Sequence, residues 1–322
     1  MDKLLLVTTG GTIAGKASNA TDLTGYEAGV VPAEELIAAV PELVPYGPFE
    51  ILPFSSIDSS DMTLCKWLSL AKQVEKELVR PDIKGAVILH GTDTMEEGAY
   101  FLHLTVHTEK PIVFTGAMRP ATALSADGPM NLLQAVQVAS HRASRGKGVL
   151  VVFDGLIHGA RNVQKLHTTC MDAFGNYQYG ALGVVQDGEV EFVQTSTKLH
   201  TFQSEFSLDT LEDLPKVEIL TNYGGIDPAI LEGILATKPE CIILAGMGHG
   251  ILPTPIRERA TKAYPIMVRT SRVGTGKVSS LHSMGSLLYG GTLSAPKLRI
   301  LLSLALTKTK EKLVLQDYIN RY

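Results

Sequence analysis

The chain lacks most of the marks of specialised protein classes, and each absence narrows what it does. Cysteine is scarce: Cys65, Cys170 and Cys241 are far apart and odd in number, with no CxxC pair and no metal-ligand spacing. A disulfide framework is excluded, and idle thiols in a reducing compartment are expected. Charge of one sign is also missing. A net charge of −4 leaves no electrostatic footprint for nucleic acid or an anionic membrane. No apolar run approaches the length of a membrane span. The amino terminus, Met1-Asp2-Lys3-Leu4-Leu5-Leu6-Val7, enters a strand at once, without the apolar run and small-residue cleavage site of a signal peptide. A cytoplasmic protein is expected; a periplasmic or secreted one stays open if a leader has been removed. By elimination, the partner is a small-molecule substrate. There is no long-range repeat and no low-complexity segment.

What is present is an ordinary globular composition, 45% hydrophobic and 19% charged, over 322 residues. That length suits roughly two average domains. Short β-branched runs alternate with helical patterns, which predicts a mainly parallel sheet with right-handed crossovers. Strands are expected at Leu4–Thr8, Phe49–Phe54, the run ending at Leu89, Pro111–Thr115 and Gly148–Asp154. Helices are expected from Pro32 to Val40, Thr63 to Leu78, Glu96 to His107 and Met130 to Ala143. Asp61 or Ser60 is the natural cap of the Thr63–Leu78 helix. Residues Lys16 to Gly29, rich in Ser, Asn, Thr, Asp and Gly, read as a mobile surface loop carrying Tyr26. Asp187-Gly188 between two apolar runs predicts a hairpin within Leu182–Val193. Thr195 to Leu214 has little periodicity and reads as the linker. The α/β alternation then resumes, with strands at Val217–Thr221, Cys241–Leu244 and Ile266–Thr270. Helices there run from Pro228 to Ala236, Pro253 to Ala263 and Ala295 to Thr307. The expected architecture is therefore a larger N-terminal doubly wound α/β domain (1–193), a linker (194–215) and a smaller C-terminal α/β domain (216–322).

The stretch Val87-Ile88-Leu89-His90-Gly91-Thr92-Asp93-Thr94-Met95-Glu96-Glu97-Gly98 organises the chain. It delivers Thr-Asp-Thr from the end of a buried strand to the start of a helix, where open α/β sheets place their chemistry. The plainer reading is a capping box, with Thr92, Asp93 or Thr94 as cap and Glu96 or Glu97 completing it. Polar groups at other strand ends join it: Thr12 after Thr9-Gly10-Gly11, Ser59 after the second strand, and Lys165 after a later one. A threonine hydroxyl is a poor nucleophile unless a base or a nearby cation activates it. Thr92, Asp93 and Lys165 form one such set, and Thr12 with the Tyr26 phenol a second. Single Thr and Lys residues more often cap or face solvent. The glycines after the first strand also suggest a dinucleotide fold, but the GxGxxG spacing is missing.

Two stretches, Thr9-Gly10-Gly11-Thr12-Ile13-Ala14-Gly15 and His90-Gly91-Thr92-Asp93-Thr94-Met95-Glu96-Glu97, resemble the two active-site signatures of bacterial-type L-asparaginases. The likeness continues through Thr115–Pro120, Ser125–Pro129, Arg161–Lys165 and Arg269–Val273, in one order over essentially the whole chain. It implies hydrolysis of L-asparagine to L-aspartate and ammonia through an acyl-enzyme, with no metal and no cofactor. By motif, Thr12 resembles the nucleophile and Tyr26 its lid-borne activator, while Thr92, Asp93 and Lys165 resemble the second triad. The resemblance puts Ser59 on the substrate α-carboxylate and Asp93 on its α-ammonium, with Ser60 beside them. The Thr92 backbone N–H would hold the oxyanion. It also implies a homotetramer built from close dimers, with sites completed across a subunit boundary.

Three departures stand out. Ser60 replaces a frequent glutamine, Gly248-His249-Gly250 replaces Gly-Asn-Gly, and residues 274–288 contain no Asp or Glu. Recognition of the α-amino group then rests more heavily on Asp93, and low glutaminase activity is expected. His249 reads either as the residue reaching a neighbouring site or as a surface residue. Two readings compete from other classes: a non-catalytic amino-acid-binding protein or sensor, and a dinucleotide-dependent oxidoreductase. A glutaminyl-tRNA amidohydrolase would keep the chemistry but lacks its basic stripe here.

Overall fold

The computed structural model describes residues 2–322 except Ala263, and only the backbone of Thr210. Two compact units are present, Met1–Asp209 and Thr210–Tyr322. In the first, the strands are β1 (Lys3–Gly10), β2 (Lys16–Ala17), β3 (Tyr26–Glu27), β4 (Phe49–Ile57), β5 (Ile83–Leu89) and β6 (Ile112–Thr115). They continue with β7 (Val149–Phe153), β8 (Leu156–Gly159), β9 (Gln164–Lys165), β10 (Phe174–Gly175), β11 (Gly183–Gln186) and β12 (Glu189–Phe192). Its helices are α1 (Ala33–Ala38), α2 (Leu64–Leu78), α3 (Met95–Thr105) and α4 (Gly128–Ser140).

Eight strands form one sheet in the order β12-β11-β8-β7-β6-β5-β1-β4. The five from β4 to β7 are parallel; β8, β11 and β12 extend the sheet antiparallel. Central strands buried on both faces need apolar residues at every position, which the near-continuous Leu4–Val7 and Ala86–Leu89 runs supply. Leu4, Leu6, Val87, Leu89, Leu150 and Val152 pack on Leu36 of α1 and on Leu132, Ala135 and Val136 of α4. The alternate residues serve the other face, where α2 and α3 cover the sheet. Helix α2 turns Trp67, Leu70, Ala71, Val74 and Leu78 inward at helical spacing. The doubly wound, mainly parallel architecture is as expected.

Several local expectations need correcting. The 16–29 stretch is not without elements: Lys16–Ala17 pairs antiparallel with Tyr26–Glu27, fixing the tyrosine's strand. Helix α2 is capped by Thr63, whose hydroxyl accepts from Lys66 N at 3.3 Å, and not by Asp61 or Ser60. Asp58 instead caps the short turn Ser59–Asp61. Strand β8 was not anticipated, although Asp154-Gly155 has positive φ at both residues like the anticipated Asp187-Gly188 turn. Between 194 and 209 the chain packs within the first unit, burying Phe206 and Leu208 and bonding His107 Nε2 to Ser204 O at 2.9 Å.

The second unit is a parallel four-stranded sheet, β13 (Val217–Thr221), β14 (Cys241–Gly246), β15 (Ile266–Ser271) and β16 (Leu288–Tyr289), in sequence order. Helices α5 (Ala229–Ala236) and α6 (Thr254–Lys262) bury Leu231 and Ile256 against Ile242 and Leu244. Helix α7 (Ala295–Ala305) packs on β13 and β14, and an unanticipated helix, α8 (Lys312–Arg321), packs on α7. The expected end of α6 at Ala263 lies outside the described residues. Among the described residues, no helix is long and apolar enough to cross a membrane.

Candidate active site

Leaving out the two-residue strands, the parallel strands run in space as second, first, third, fourth, fifth. That order reverses the winding direction between β1 and β5, which opens a crevice at their carboxyl ends. Glycine lets the strand ends converge there. Gly11 has φ +81°, and a Cβ on it would lie 2.4 Å from Gly91 Cα; one on Gly91 would lie 2.6 Å from Ser59 Oγ. The ends of β1, β4 and β5 are thus in van der Waals contact at a place where no side chain fits.

Thr12 follows directly, in a tight turn, and is buried. Its Oγ1 lies 2.5 Å from Tyr26 Oη. Burial pushes the Tyr26 phenol above its usual value; the Thr12 hydrogen bond opposes this, and the Asp58 and Asp93 charges add to it. The phenol is therefore neutral at ordinary pH, a partner able to pass a proton on but not a standing phenolate.

Across the crevice, Lys165 Nζ donates to Thr92 Oγ1 at 2.9 Å and to Asp93 Oδ1 at 2.6 Å. The Asp93 side chain is 61% exposed against 19% for Lys165, so the carboxylate faces the crevice while the ammonium stays behind it. Since Thr92 Oγ1 accepts from the lysine, its own hydrogen is left for another acceptor. Ser59 is buried beside Gly91, and its carbonyl accepts the Thr94 hydroxyl at 2.8 Å. Thr94 makes no side-chain cap to α3, so the capping-box reading does not describe this helix start.

Thr12, Tyr26, Ser59, Thr92, Asp93 and Lys165 all line one cavity of about 200 Å³. That is smaller than the roughly 300–1,000 Å³ of drug-sized sites and suits a small polar molecule. Ser60, expected at the substrate, is not among the lining residues: its side chain is exposed and its N–H is bonded to Asp58 Oδ1 at 2.8 Å. Asp58 lines the cavity in its place, together with Met118, Thr168 and Thr169. Met118 is held by its N–H to the Asp127 carboxylate at 2.9 Å, the structural use of the Ser125–Pro129 motif. The sequence signal for Asp58 was its place beside Ser59 at a strand end. For Thr168 and Thr169 it was only proximity to Lys165. In the second unit, His249 Nε2 is 3.3 Å from Ser279 N and Oγ. Among the described residues, no group of three or more His, Cys, Asp or Glu is placed to hold a metal ion.

Hydroxyls paired with a phenol and with an ammonium, around a small polar cavity at an α/β switch point, define a hydrolytic α/β enzyme of the amidohydrolase class. Residues 3–198 match the family model described as asparaginase, N-terminal, and residues 216–319 that of the glutaminase/asparaginase C-terminal domain. The chain belongs to the asparaginase family. It is 39% identical to L-asparaginase 2 of Escherichia coli, over all of this chain and 94% of that protein. It is 38% identical to the glutaminase-asparaginase of Acinetobacter glutaminasificans, over the full length of both. The crystal structure of a probable cytoplasmic L-asparaginase from Campylobacter jejuni superposes over all of both chains with a TM-score of 0.95 at 38% identity.

Proposed function

We propose that the protein is an L-asparaginase, hydrolysing the side-chain amide of L-asparagine to L-aspartate and ammonia, with L-glutamine a poorer substrate. The observation that carries this reading is the placement of two activated hydroxyls, Thr12 with Tyr26 and Thr92 with Lys165, on one cavity that also presents the Asp93 carboxylate. Asp93 pairs with the substrate α-ammonium, and the Ser59 hydroxyl donates to its α-carboxylate. Thr12 Oγ1 attacks the amide carbon. Tyr26, being neutral, takes the threonine proton as it gives its own toward the departing nitrogen, so ammonia leaves and an ester to Thr12 remains. The Thr92 backbone N–H faces the oxyanion, a contact typically worth about 3–4 kcal/mol in the transition state. Thr92, oriented by Lys165 and Asp93, serves the water that hydrolyses the ester and frees Thr12.

One methylene separates asparagine from glutamine and is worth only about 1–3 kcal/mol to a fitted pocket. The small cavity favours the shorter amide. Relatives carry both names, L-asparaginase and glutaminase-asparaginase, so the ratio belongs to this chain's own walls. The assembly proposed is a tetramer of close dimers, tested by light scattering. The compartment proposed is the cytoplasm, in keeping with three free cysteines; relatives include one named cytoplasmic and one named probable periplasmic. The domain reading proposed is two α/β cores, 1–193 and 216–322, joined by 194–215, of which the part up to Asp209 packs with the first core; limited proteolysis tests it.

The deciding experiment is ammonia release from both amides by the wild type, Thr12→Ala and Thr92→Val. Turnover of asparagine by the wild type, with both variants losing orders of magnitude, is the expected result. Binding of asparagine without ammonia release would overturn the assignment in favour of an amino-acid sensor.

A further inference from the structure

At the start of α3, Thr94 and Glu97 stand at capping-box spacing, but the Thr94 hydroxyl bonds no N–H of its own helix. Here the Thr94 hydroxyl reaches across to Ser59 O, and the Glu96 carboxylate reaches across to Lys165 N, each at 2.8 Å. Glu96 is not among the residues lining the cavity.

The second of these bonds decides where a long side chain starts. Lys165 lies on β9, a two-residue strand paired only with β10, and the next residue, Leu166, bonds Ala173 O at 2.7 Å. The Lys165 N–H goes to Glu96 instead. A lysine ammonium rides on a flexible four-carbon stem, so its reach to Thr92 and Asp93 depends on where its main chain is held. Thr92 and Asp93 lie just before the helix that carries Glu96. The carboxylate therefore ties the Lys165 backbone to the same rigid element that bears both partners of its ammonium.

We infer that Glu96 is a positioning residue, acting through the Lys165 main chain to hold the ammonium between Thr92 Oγ1 and Asp93 Oδ1. The inference rests on the proposed role of Lys165 in turnover. It requires an oxygen acceptor at position 96 and not a charge, so Glu96→Gln keeps the function and Glu96→Ala loses it. Misplacement of a catalytic group by about 1 Å costs on the order of 10²-fold. Glu96→Ala is accordingly expected to lower kcat for asparagine about 10–100-fold while leaving KM nearly unchanged.

The test is a double-mutant cycle measuring kcat and KM for the wild type, Glu96→Ala, Glu96→Gln, Lys165→Met and the Glu96→Ala/Lys165→Met double variant. With Lys165 already removed, Glu96→Ala should cost less than about twofold more, because coupled residues are not additive. A loss of the same size in both backgrounds would show a general structural role and overturn the inference, as would no loss in Glu96→Ala or an equal loss in Glu96→Gln. Should Glu96→Ala not fold, Glu96→Met removes the same acceptor while preserving helix propensity and bulk. Wild-type turnover in Lys165→Met would instead defeat the proposed role of Lys165.

Discussion

The Tyr26 ring rests against Gly15, three residues beyond the Thr12 hydroxyl it bonds. A Cβ at position 15 would lie 2.7 Å from Tyr26 Cδ2, closer than real contacts allow. The glycine thus creates the space in which phenol and hydroxyl meet at 2.5 Å. Gly15 has ordinary extended backbone, so alanine there is strained by this ring and, more mildly, by the Thr12 carbonyl oxygen 3.0 Å away, not by its own φ and ψ. Gly15→Ala is expected to displace the phenol and lower kcat/KM for asparagine by about 10–10²-fold, given the steep cost of small misplacements. Full activity in Gly15→Ala would show that the ring relaxes without losing its bond to Thr12.

The protonation state of that phenol gives a second expectation. Burial holds its pKa above the usual value, so it keeps its proton throughout the neutral and mildly alkaline range. No fall in kcat/KM assignable to the phenol should occur below about pH 10, its unperturbed value. Tyr26→Phe should lower kcat about 10²–10⁴-fold, the usual range for a proton-transferring group. A wild-type profile that rises as the phenol ionises, well below that pH, would mean that a phenolate is the working form.

Much of this site was legible in the sequence because strand ends in doubly wound sheets meet by topology. Thr12, Ser59 and Thr92 could be grouped from the strand pattern alone, and the five-strand order then brings them together. What the pattern could not carry is the direction of side chains over the last few ångströms. Ser60 and Asp58 are two residues apart on a tight turn, and which of them faces the cavity depends on Asp58 accepting the Ser60 N–H. Thr94 and Glu97 stand at capping-box spacing, yet the Thr94 hydroxyl bonds Ser59 O and not its own helix, and the neighbouring Glu96 reaches Lys165 N. Strand β8 was hidden for a different reason. Its turn, Asp154-Gly155, carries the same signal as Asp187-Gly188, but the run after it, Leu156–Gly159, lacks the polar/apolar alternation of Glu189–Phe192. The 194–209 segment has no helix or strand period, so its buried Phe206 and Leu208 leave no pattern to read.

His90, directly before the site glycine, sets an acid limit on stability. It is fully buried against Trp67 and Phe114, with ring centroids 4.9 Å and 5.9 Å away. Its Nδ1 lies 2.6 Å from Gly91 O, the donor's place, which leaves Nε2 bare and buried with no hydrogen-bond partner. Burial lowers its pKa from 6.5 to about 4, the Gly91 bond and Asp58 opposing only in part. The unfolded chain thus binds a proton below pH 6.5 that the folded chain refuses until about pH 4. Stability from this residue is complete above pH 6.5 and is lost as pH falls toward 4, by about 3 kcal/mol at most. Urea unfolding of the wild type and His90→Phe at several pH values tests this. The variant should show a shallower decline over that window, whatever its stability at neutral pH. Parallel curves would assign the acid loss to other groups.

The last expectation concerns how the substrate ammonium is recognised. Asp93 already shares its carboxylate with Lys165, which leaves it less negative charge to offer. The 274–288 segment contains no acid, so a second carboxylate has to come from elsewhere. Asp58 supplies one: it lines the same cavity, is exposed to it, and is fixed by the Ser60 N–H. Asp58→Asn keeps the oxygen that caps this turn and removes only the charge. It should therefore raise KM for asparagine by about tenfold, the scale of one hydrogen bond to a charged group, with kcat little changed. The analogue lacking the α-amino group keeps its α-carboxylate and is an anion, so it should bind the variant no more weakly than the wild type, since it has no ammonium to lose. An unchanged KM for asparagine would reduce Asp58 to the cap of the Ser59–Asp61 turn and leave Asp93 as the anion the substrate meets.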